Sequence, residues 1–199
     1  SKRAFSSFKK SCLYKHAEGC FDLAMAYSVG RGTKKSASKH LKYLEVSCDL
    51  KGYEACDRLG VMLERGEGSK VNLSRARSMF LKGCRGKHAL ACVHLGSLYD
   101  GGHGVTQSHA KARRYFKKSG GLGSGEGCGE LGRLFEQGRG VGRDFLKAAD
   151  LYEQACDKDN AGACSRLGVM LEYGREGIPA DPAKAKTLYE KSCRQKHGH

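Results

Sequence analysis

The sequence has no tryptophan, only two prolines, and no long apolar run among its 199 residues. A membrane-spanning helix needs about 18 or more apolar residues in succession, so an integral membrane role is not expected. Acidic residues are scarce, with 21 Asp and Glu against 36 Lys and Arg, which gives a net charge of +15. Such a charge favours anionic partners. The content of hydrophobic residues, 39%, is typical of a folded chain and argues against disorder.

The ten cysteines recur at a fixed period of 36 residues. One series consists of Cys20, Cys56, Cys92, Cys128 and Cys164. The second consists of Cys12, Cys48, Cys84 and Cys156, with Gly120 in place of a further member and Cys193 one residue late. Periods of this size are typical of repeat proteins. We therefore divide the chain into one array, 1–199, with repeats at 17–52, 53–88, 89–124, 125–160 and 161–197 and with 1–16 as the second helix of a preceding repeat.

Each repeat has the pattern of two helices joined by a turn. Apolar residues recur at helical spacing in the first helix, which ends at a G-x-G such as Gly66–Gly68. Residues that cap helix N-termini recur at the start of the second helix: Ser36, Asn72, Ser108, Asp144 and Asp181. A small residue in the first helix, for example Gly60, matches a large one in the second, for example Phe80, which indicates close packing. No segment is typical of a strand.

The pattern L-G-x-x-[YFL]-x-x-G-x-G with an Ala-containing second helix resembles the Sel1-like repeat, a relative of the tetratricopeptide repeat. The resemblance covers residues 17–197 and implies an all-α fold, an α/α solenoid or superhelix of helix-turn-helix repeats. A cysteine at the end of one helix pair and another at the start of the next resembles the Helicobacter cysteine-rich proteins and, more distantly, a mitochondrial intermembrane-space assembly factor. Gly120 departs from that cysteine pattern.

The C-x7-C pairs predict four disulfides: Cys12–Cys20, Cys48–Cys56, Cys84–Cys92 and Cys156–Cys164. Each pair spans a short turn between antiparallel helices, where the Cα atoms come within about 4.4–6.8 Å. Zinc is the alternative, although zinc sites favour shorter spacings in groups of four. Cys128 and Cys193 are predicted to be free thiols, and the spacing of Cys193 suggests that the natural chain continues beyond His199. Disulfides predict an oxidising compartment, periplasmic or extracellular, with the mitochondrial intermembrane space as an alternative.

The predicted binding site is the concave surface lined by the first helices, which solenoids use to hold extended partners. Two first-helix columns vary in charge and size while the structural columns do not. They contain Asp22, Arg58, His94, Glu130 and Arg166, then Met25, Val61, Ser97, Arg133 and Val169. Arg58, Arg133 and Arg166 are predicted to hold carboxylates through paired donors. No acidic side chain is apparent beside His94 in the sequence, so His94 is expected to contact the bound peptide or protein.

A catalytic site is not predicted, nor is a metal or a cofactor. Some cysteine-rich relatives are described as binding or hydrolysing β-lactams, and S-x-x-K matches occur at Ser6, Ser7, Ser36 and Ser108. Ser36 and Ser108, however, lie in the N-cap column, and no S-D-N or K-T-G is present. The basic run Arg113–Lys118 superficially resembles a nucleic-acid surface, but Phe116 belongs to the core column and an oxidising compartment argues against nucleic acid.

The sequence therefore predicts a secreted or periplasmic scaffold that binds a peptide or protein segment, acidic or carrying a carboxylate, with an anionic cell-wall component as a further possible partner. Two alternatives stay open. One is a weak β-lactamase-like or peptidoglycan-interacting protein, and the other is an intermembrane-space assembly factor.

Overall fold

The computed structural model describes residues 2–197, which form eleven α-helices and, apart from one isolated β-bridge between Arg175 and Ile178, no strand. The helices are α1 (Lys2–Leu13), α2 (Ala17–Val29), α3 (Ala37–Asp49), α4 (Tyr53–Arg65), α5 (Leu73–Arg85), α6 (Ala89–Gly101), α7 (His109–Gly121), α8 (Gly125–Gln137), α9 (Phe145–Cys156), α10 (Ala161–Tyr173) and α11 (Pro182–His197). The prediction of an all-α fold is confirmed. Within the described residues no helix is both long and apolar enough to cross a membrane.

The helices begin and end where the capping residues predict. The side chains of Ser36, Asn72, Ser108 and Asp144 each accept a hydrogen bond from the backbone N–H three residues later, which satisfies a free donor of the first turn. Asp181 caps α11 in the same way. At the other end, Gly66 stops α4 with φ of 74°, a left-handed conformation that glycine adopts without a steric penalty.

The contacts divide the chain into two compact units. Unit 1 contains the residues up to Leu95 together with His103–Val105, and unit 2 contains Gly96–Gly102 and the residues from Thr106 onward. Each unit has its own core of fully buried side chains. That of unit 1 includes Leu23, Leu44, Leu59 and Phe80, and that of unit 2 includes Phe116, Leu134, Tyr152 and Met170.

Glycines on the first helices allow the second helices to approach closely. A Cβ added to Gly60 would lie 2.5 Å from the ring of Phe80, and one added to Gly96 would lie 2.6 Å from the ring of Phe116. Real side chains cannot occupy that space without moving the ring. The predicted match between small and large residues is confirmed, and it fixes which face of each first helix is left for solvent.

Four disulfides join the end of a second helix to the start of the next first helix. They are Cys12–Cys20, Cys48–Cys56, Cys84–Cys92 and Cys156–Cys164, with Cα separations of 4.4–4.7 Å. These are the pairs that the spacing predicts. Cys128 and Cys193 are free, the first buried and the second exposed. Four structural disulfides indicate an oxidising compartment.

Candidate functional site

The ten side chains of the predicted groove all lie on the first helices α2, α4, α6, α8 and α10, and none of them is buried. The exposed members are Arg58, Ser97, Arg166 and Val169. The partly buried members are Asp22, Met25, Val61, His94, Glu130 and Arg133. The Leu and Gly columns of the first helices point into the core. The two columns of the predicted groove therefore form the accessible first-helix surface of each unit.

In unit 1 two of these residues, Arg58 and Val61, line a pocket of about 360 Å³. The other lining residues are His40, Glu54, Asp57, Met62, Glu67, His88 and Leu90. Two imidazole nitrogens of this pocket, His40 Nε2 and His88 Nδ1, are buried and lack a hydrogen-bond partner among the described residues. Burial and the nearby Arg58 charge lower the pKa of His40, although Glu67 opposes them. His40 is therefore neutral at pH 7.

Arg58 is held in place by its own helix and by the preceding repeat. Its guanidinium contacts the Glu54 carboxylate at 3.0 Å and lies 5.5 Å from the centre of the Phe21 ring. The side chain still keeps 48% of its exposure. An arginine held by a carboxylate and an aromatic ring loses little further freedom when it binds a carboxylate, so Arg58 suits recognition of an acidic group.

His94 has an acidic partner that the sequence analysis missed. Its Nδ1 lies 2.7 Å from Oδ1 of Asp57, and its ring packs 5.0 Å from that of Phe80. Asp57 retains 7% exposure, so the imidazole compensates a carboxylate that burial would otherwise destabilise. The inference that His94 has no acid beside it is therefore wrong, while its expected contact with a binding partner stays a prediction. The available signal was Asp57 itself, a charge in a column otherwise filled by Phe21, Val93, Gly129 and Ser165.

In unit 2 the buried carboxylate of Asp100 organises three basic side chains. Its Oδ2 accepts from Arg133 at 2.8 Å and Arg139 at 3.3 Å, and its Oδ1 lies 2.8 Å from His109 Nδ1. Burial by itself raises the pKa of Asp100, but the bonds from Arg133 and His109 and the two arginine charges outweigh it and hold this pKa below the ordinary value of 3.8. The Asp100 carboxylate is therefore charged and saturated with donors.

Arg133 is used by the chain itself. It also contacts Glu130 at 2.7 Å and Gln137 at 3.2 Å, and its side chain keeps 19% exposure. These bonds and charges raise the pKa of Arg133 despite its burial. These contacts argue against the role predicted for Arg133, because a guanidinium with this many internal acceptors has little capacity left for the carboxylate of a partner.

Glu130, Arg133 and Arg166 line one small pocket of about 90 Å³. Beside it, Arg166 reaches Glu136 at 3.4 Å while keeping 48% exposure, and Tyr152 donates to the same carboxylate at 2.6 Å. Burial raises the pKa of Tyr152, so its hydroxyl stays protonated. Arg166 therefore resembles Arg58 in being positioned by one acid and still accessible.

The remaining predicted residues are not brought together with these arginines. Asp22 lines a separate pocket of about 330 Å³ with residues of α1, and burial and the neighbouring Glu18 raise its pKa. Met25, His94, Ser97 and Val169 line none of the three pockets.

Acids also recur at the penultimate residue of four first helices, and two of them, Asp100 and Glu136, position Arg133 and Arg166. The column contains Glu64, Asp100, Glu136 and Glu172. An acid at a helix C-terminus is unfavourable, because it meets the negative end of the helix dipole. Three of these acids, Asp100, Glu136 and Glu172, have partners on other helices, and the recurrence of acids there was a signal of such contacts.

Ser36 and Ser108, the serines of two S-x-x-K matches, accept from Lys39 N and Lys111 N at 3.3 Å each, as N-cap residues do. Phe116 is fully buried and Tyr115 stacks on Tyr99 at 5.7 Å, so the aromatics of the basic run pack within unit 2. The described part of the chain holds no group of three or more His, Cys, Asp and Glu side chains that could bind a metal ion.

The Sel1 repeat family model matches residues 17–51, 54–88, 89–124, 125–160 and 161–197. The chain therefore belongs to the Sel1 repeat family, a class of α/α solenoids built from helix pairs, and its particular form is an array cross-linked by disulfides between repeats. No curated protein matches the chain.

Solved structures show the same fold. A Sel1 repeat protein from Oxalobacter formigenes is similar with a TM-score of 0.85 and 24% identity, over 91% of this chain and 74% of that one. The protective antigen c5321 of uropathogenic Escherichia coli has a TM-score of 0.84 and 25% identity, over 96% of this chain but 41% of its own length. Helicobacter pylori cysteine rich protein B is 28% identical with a TM-score of 0.53, over 65% of this chain and 93% of that one.

Proposed function

We propose that this chain is a binding scaffold of the periplasm or the extracellular space, which holds a peptide or protein segment against the first-helix surface. The observation that carries the proposal is the pocket of unit 1, where Arg58 and Val61 lie with two unpartnered imidazole nitrogens. Arg58 in unit 1 and Arg166 in unit 2 are each positioned by one acid and half exposed. Side chains of this kind suit a carboxylate of the partner.

The physical reason for a peptide partner is that the two faces of each first helix have different roles. One face is fixed by the core, whereas the accessible face changes in charge from Asp22 to Arg58 and from Glu130 to Arg166. A surface that varies while its scaffold stays constant can read different features along an extended ligand. Disulfides keep adjacent helices rigid, which lowers the entropy lost on binding.

The first experiment locates the contact with a partner. A photo-crosslinking amino acid is placed at Val61, at Val169 or, as a control, at the exposed Lys186 of α11, and each protein is exposed to an extract of the native extracytoplasmic fraction. We expect one partner to be cross-linked from Val61 or Val169 and not from Lys186. Adducts from Lys186 alone would show that the partner binds elsewhere.

The second experiment tests the arginines with the partner identified in this way. Arg58→Glu together with Arg166→Glu is expected to weaken binding about tenfold or more, because each arginine makes a charge-assisted contact. The charge-matched control is Lys34→Glu with Lys186→Glu, which alters net charge equally at exposed positions. An equal loss of affinity in both variants would show that overall charge causes the effect, and it would contradict the proposed site.

A further inference from the structure

A cleft on unit 2, lined by none of the ten residues of the predicted groove, has the composition of a second binding surface. It has a volume of about 620 Å³, within the range of ligand pockets. Its cationic lining residues are Arg113, Arg143 and Lys147, and its apolar lining residues are Phe135, Val141, Phe145 and Leu146. We refer to these seven residues as the basic cleft.

Two of the three cations of the basic cleft are positioned by aromatic rings. The Arg143 guanidinium lies 5.2 Å from the centre of the Phe145 ring, and the Lys147 ammonium lies 4.8 Å from that of Phe135. Leu146, between them in sequence, is 56% exposed although it is a large apolar residue. The cleft therefore offers apolar surface and fixed positive charge side by side.

The acids of this cleft do not neutralise it. Asp144 caps α9, since its Oδ1 accepts from the backbone N–H of Lys147 at 2.9 Å. Glu176 also lines the cleft and makes no ion pair among the described residues. Three cations thus face two carboxylates, of which one is occupied at the helix N-terminus.

A comparison of the repeats explains why the positive charge is in excess. The start of each second helix carries a basic residue, in the column Lys39, Arg75, Lys111, Lys147 and Lys184. Arg75 pairs with Glu45 in unit 1, and Lys184 pairs with Glu153 in unit 2. At the position equivalent to these two acids Lys147 has Lys117, a like charge, and Lys39 and Lys111 also lack an acid there.

The second helix α7 extends the excess. Arg113, Arg114, Lys117 and Lys118 form no ion pair within residues 2–197, and the sequence has no acid between Gly101 and Gly125. Unpaired cations at close spacing repel one another, and an anionic ligand relieves that repulsion.

We propose that the basic cleft binds an acidic peptide segment whose carboxylates alternate with apolar side chains. The carboxylates would contact Arg113, Arg143 and Lys147, and the apolar side chains would cover Leu146 and the two rings. A concave surface with apolar walls suits a peptide better than the flat surface of a bilayer. This site contains none of the residues of the predicted groove, and the inference does not rest on the proposed function.

The test uses a fluorescein-labelled peptide that repeats Glu-Glu-Leu, with fluorescence anisotropy as the readout on the full chain. Two comparison peptides replace Glu by Gln or Leu by Ser. We expect the Glu-Glu-Leu peptide to bind and both comparison peptides to bind about tenfold more weakly or worse, with affinity falling as salt rises.

The variants assign the binding to the cleft. Arg113→Glu with Lys147→Glu, and separately Leu146→Asp, are expected to weaken binding of the peptide about tenfold or more, whereas the charge-matched Lys34→Glu with Lys186→Glu changes it less than about threefold. All substituted side chains are exposed, and circular dichroism verifies that the helices are intact.

Three results would overturn the inference. They are equal losses in the cleft and control variants, equal binding of the Gln peptide, and binding only to phosphatidylglycerol-containing vesicles. Loss of the peptide in Arg58→Glu with Arg166→Glu, with normal binding in the cleft variant, would also overturn it and would leave the proposed function standing.

Discussion

At the scale of single residues, the three arginines of the predicted groove differ in how much of their hydrogen-bonding capacity the chain uses. Arg133 contacts Asp100, Glu130 and Gln137 and keeps 19% exposure. Arg58 and Arg166 each contact one acid and keep 48%. A partly buried guanidinium whose donors are mostly used within the chain supports the fold, whereas a half-exposed one retains donors for a partner. This difference depends on acids that lie outside the two groove columns, so the sequence of those columns alone could not predict it.

The first prediction concerns Asp100→Asn. Removal of the charge leaves Arg133 and Arg139 without their shared carboxylate. We expect the free energy of unfolding to fall by about 2–4 kcal/mol at pH 7, because breaking a largely buried ion pair is costly. The folded-state pKa of Asp100 lies below its unfolded value of 3.8, so its contribution is present above that value and is lost as pH falls through the lower folded pKa. Denaturant midpoints of both proteins should therefore differ at pH 7 and converge toward pH 3 or below.

A conservative variant separates the charge from the shape of this side chain. Asp100→Glu keeps the charge on a longer side chain. It should therefore lower the free energy of unfolding less than Asp100→Asn does. A difference between wild type and Asp100→Asn that stays constant from pH 7 to pH 2 would contradict the linkage argument.

At the scale of helices, the sequence predicts the repeat well and the contacts between repeats poorly. The Gly60 and Phe80 columns repeat with the period because the same two helices pack in every repeat. The pair Asp57–His94 joins two different repeats, and its members are 37 residues apart, one more than the period. Such a contact depends on the rotation between successive helix pairs, which periodicity within one repeat does not encode.

The second prediction concerns the junction of α7 and α8, which has no disulfide. A Cβ added to Gly120 would lie 2.9 Å from the Cys128 sulfur, so Gly120→Cys should form a fifth bridge. A loop of this size contributes about 2–3 kcal/mol in the chain-entropy model. We expect amide exchange across 119–129 to be the fastest among the turns between repeats in the natural chain and to slow in the variant.

Gly120→Ser is the control, because it fills the same space and forms no bridge. Protection at 119–129 equal to that at the bridged turns 48–56 and 84–92 in the natural chain would contradict this prediction.

At the scale of the whole molecule, the array depends on covalent links as much as on its cores. Each bridge closes a short loop and contributes about 2.6 kcal/mol, or about 10 kcal/mol for four, in the chain-entropy model. The net stability of a domain is about 5–15 kcal/mol. The disulfides therefore supply a contribution comparable to the entire margin, which fits an array whose repeats contact only their neighbours.

The last prediction follows from this comparison. Non-reducing digestion and mass spectrometry should show the four local pairs, and the denatured chain should contain two titratable thiols, Cys128 and Cys193. Reduction followed by alkylation of all ten cysteines should lower the thermal midpoint steeply or abolish cooperative unfolding, because the unfolded chain regains the entropy that the bridges remove.

Alkylation without reduction, which should modify only the exposed Cys193 in the folded chain, is the control. A reduced chain with an unchanged midpoint would show that packing alone maintains the array, and ten free thiols would remove the basis for an oxidising compartment.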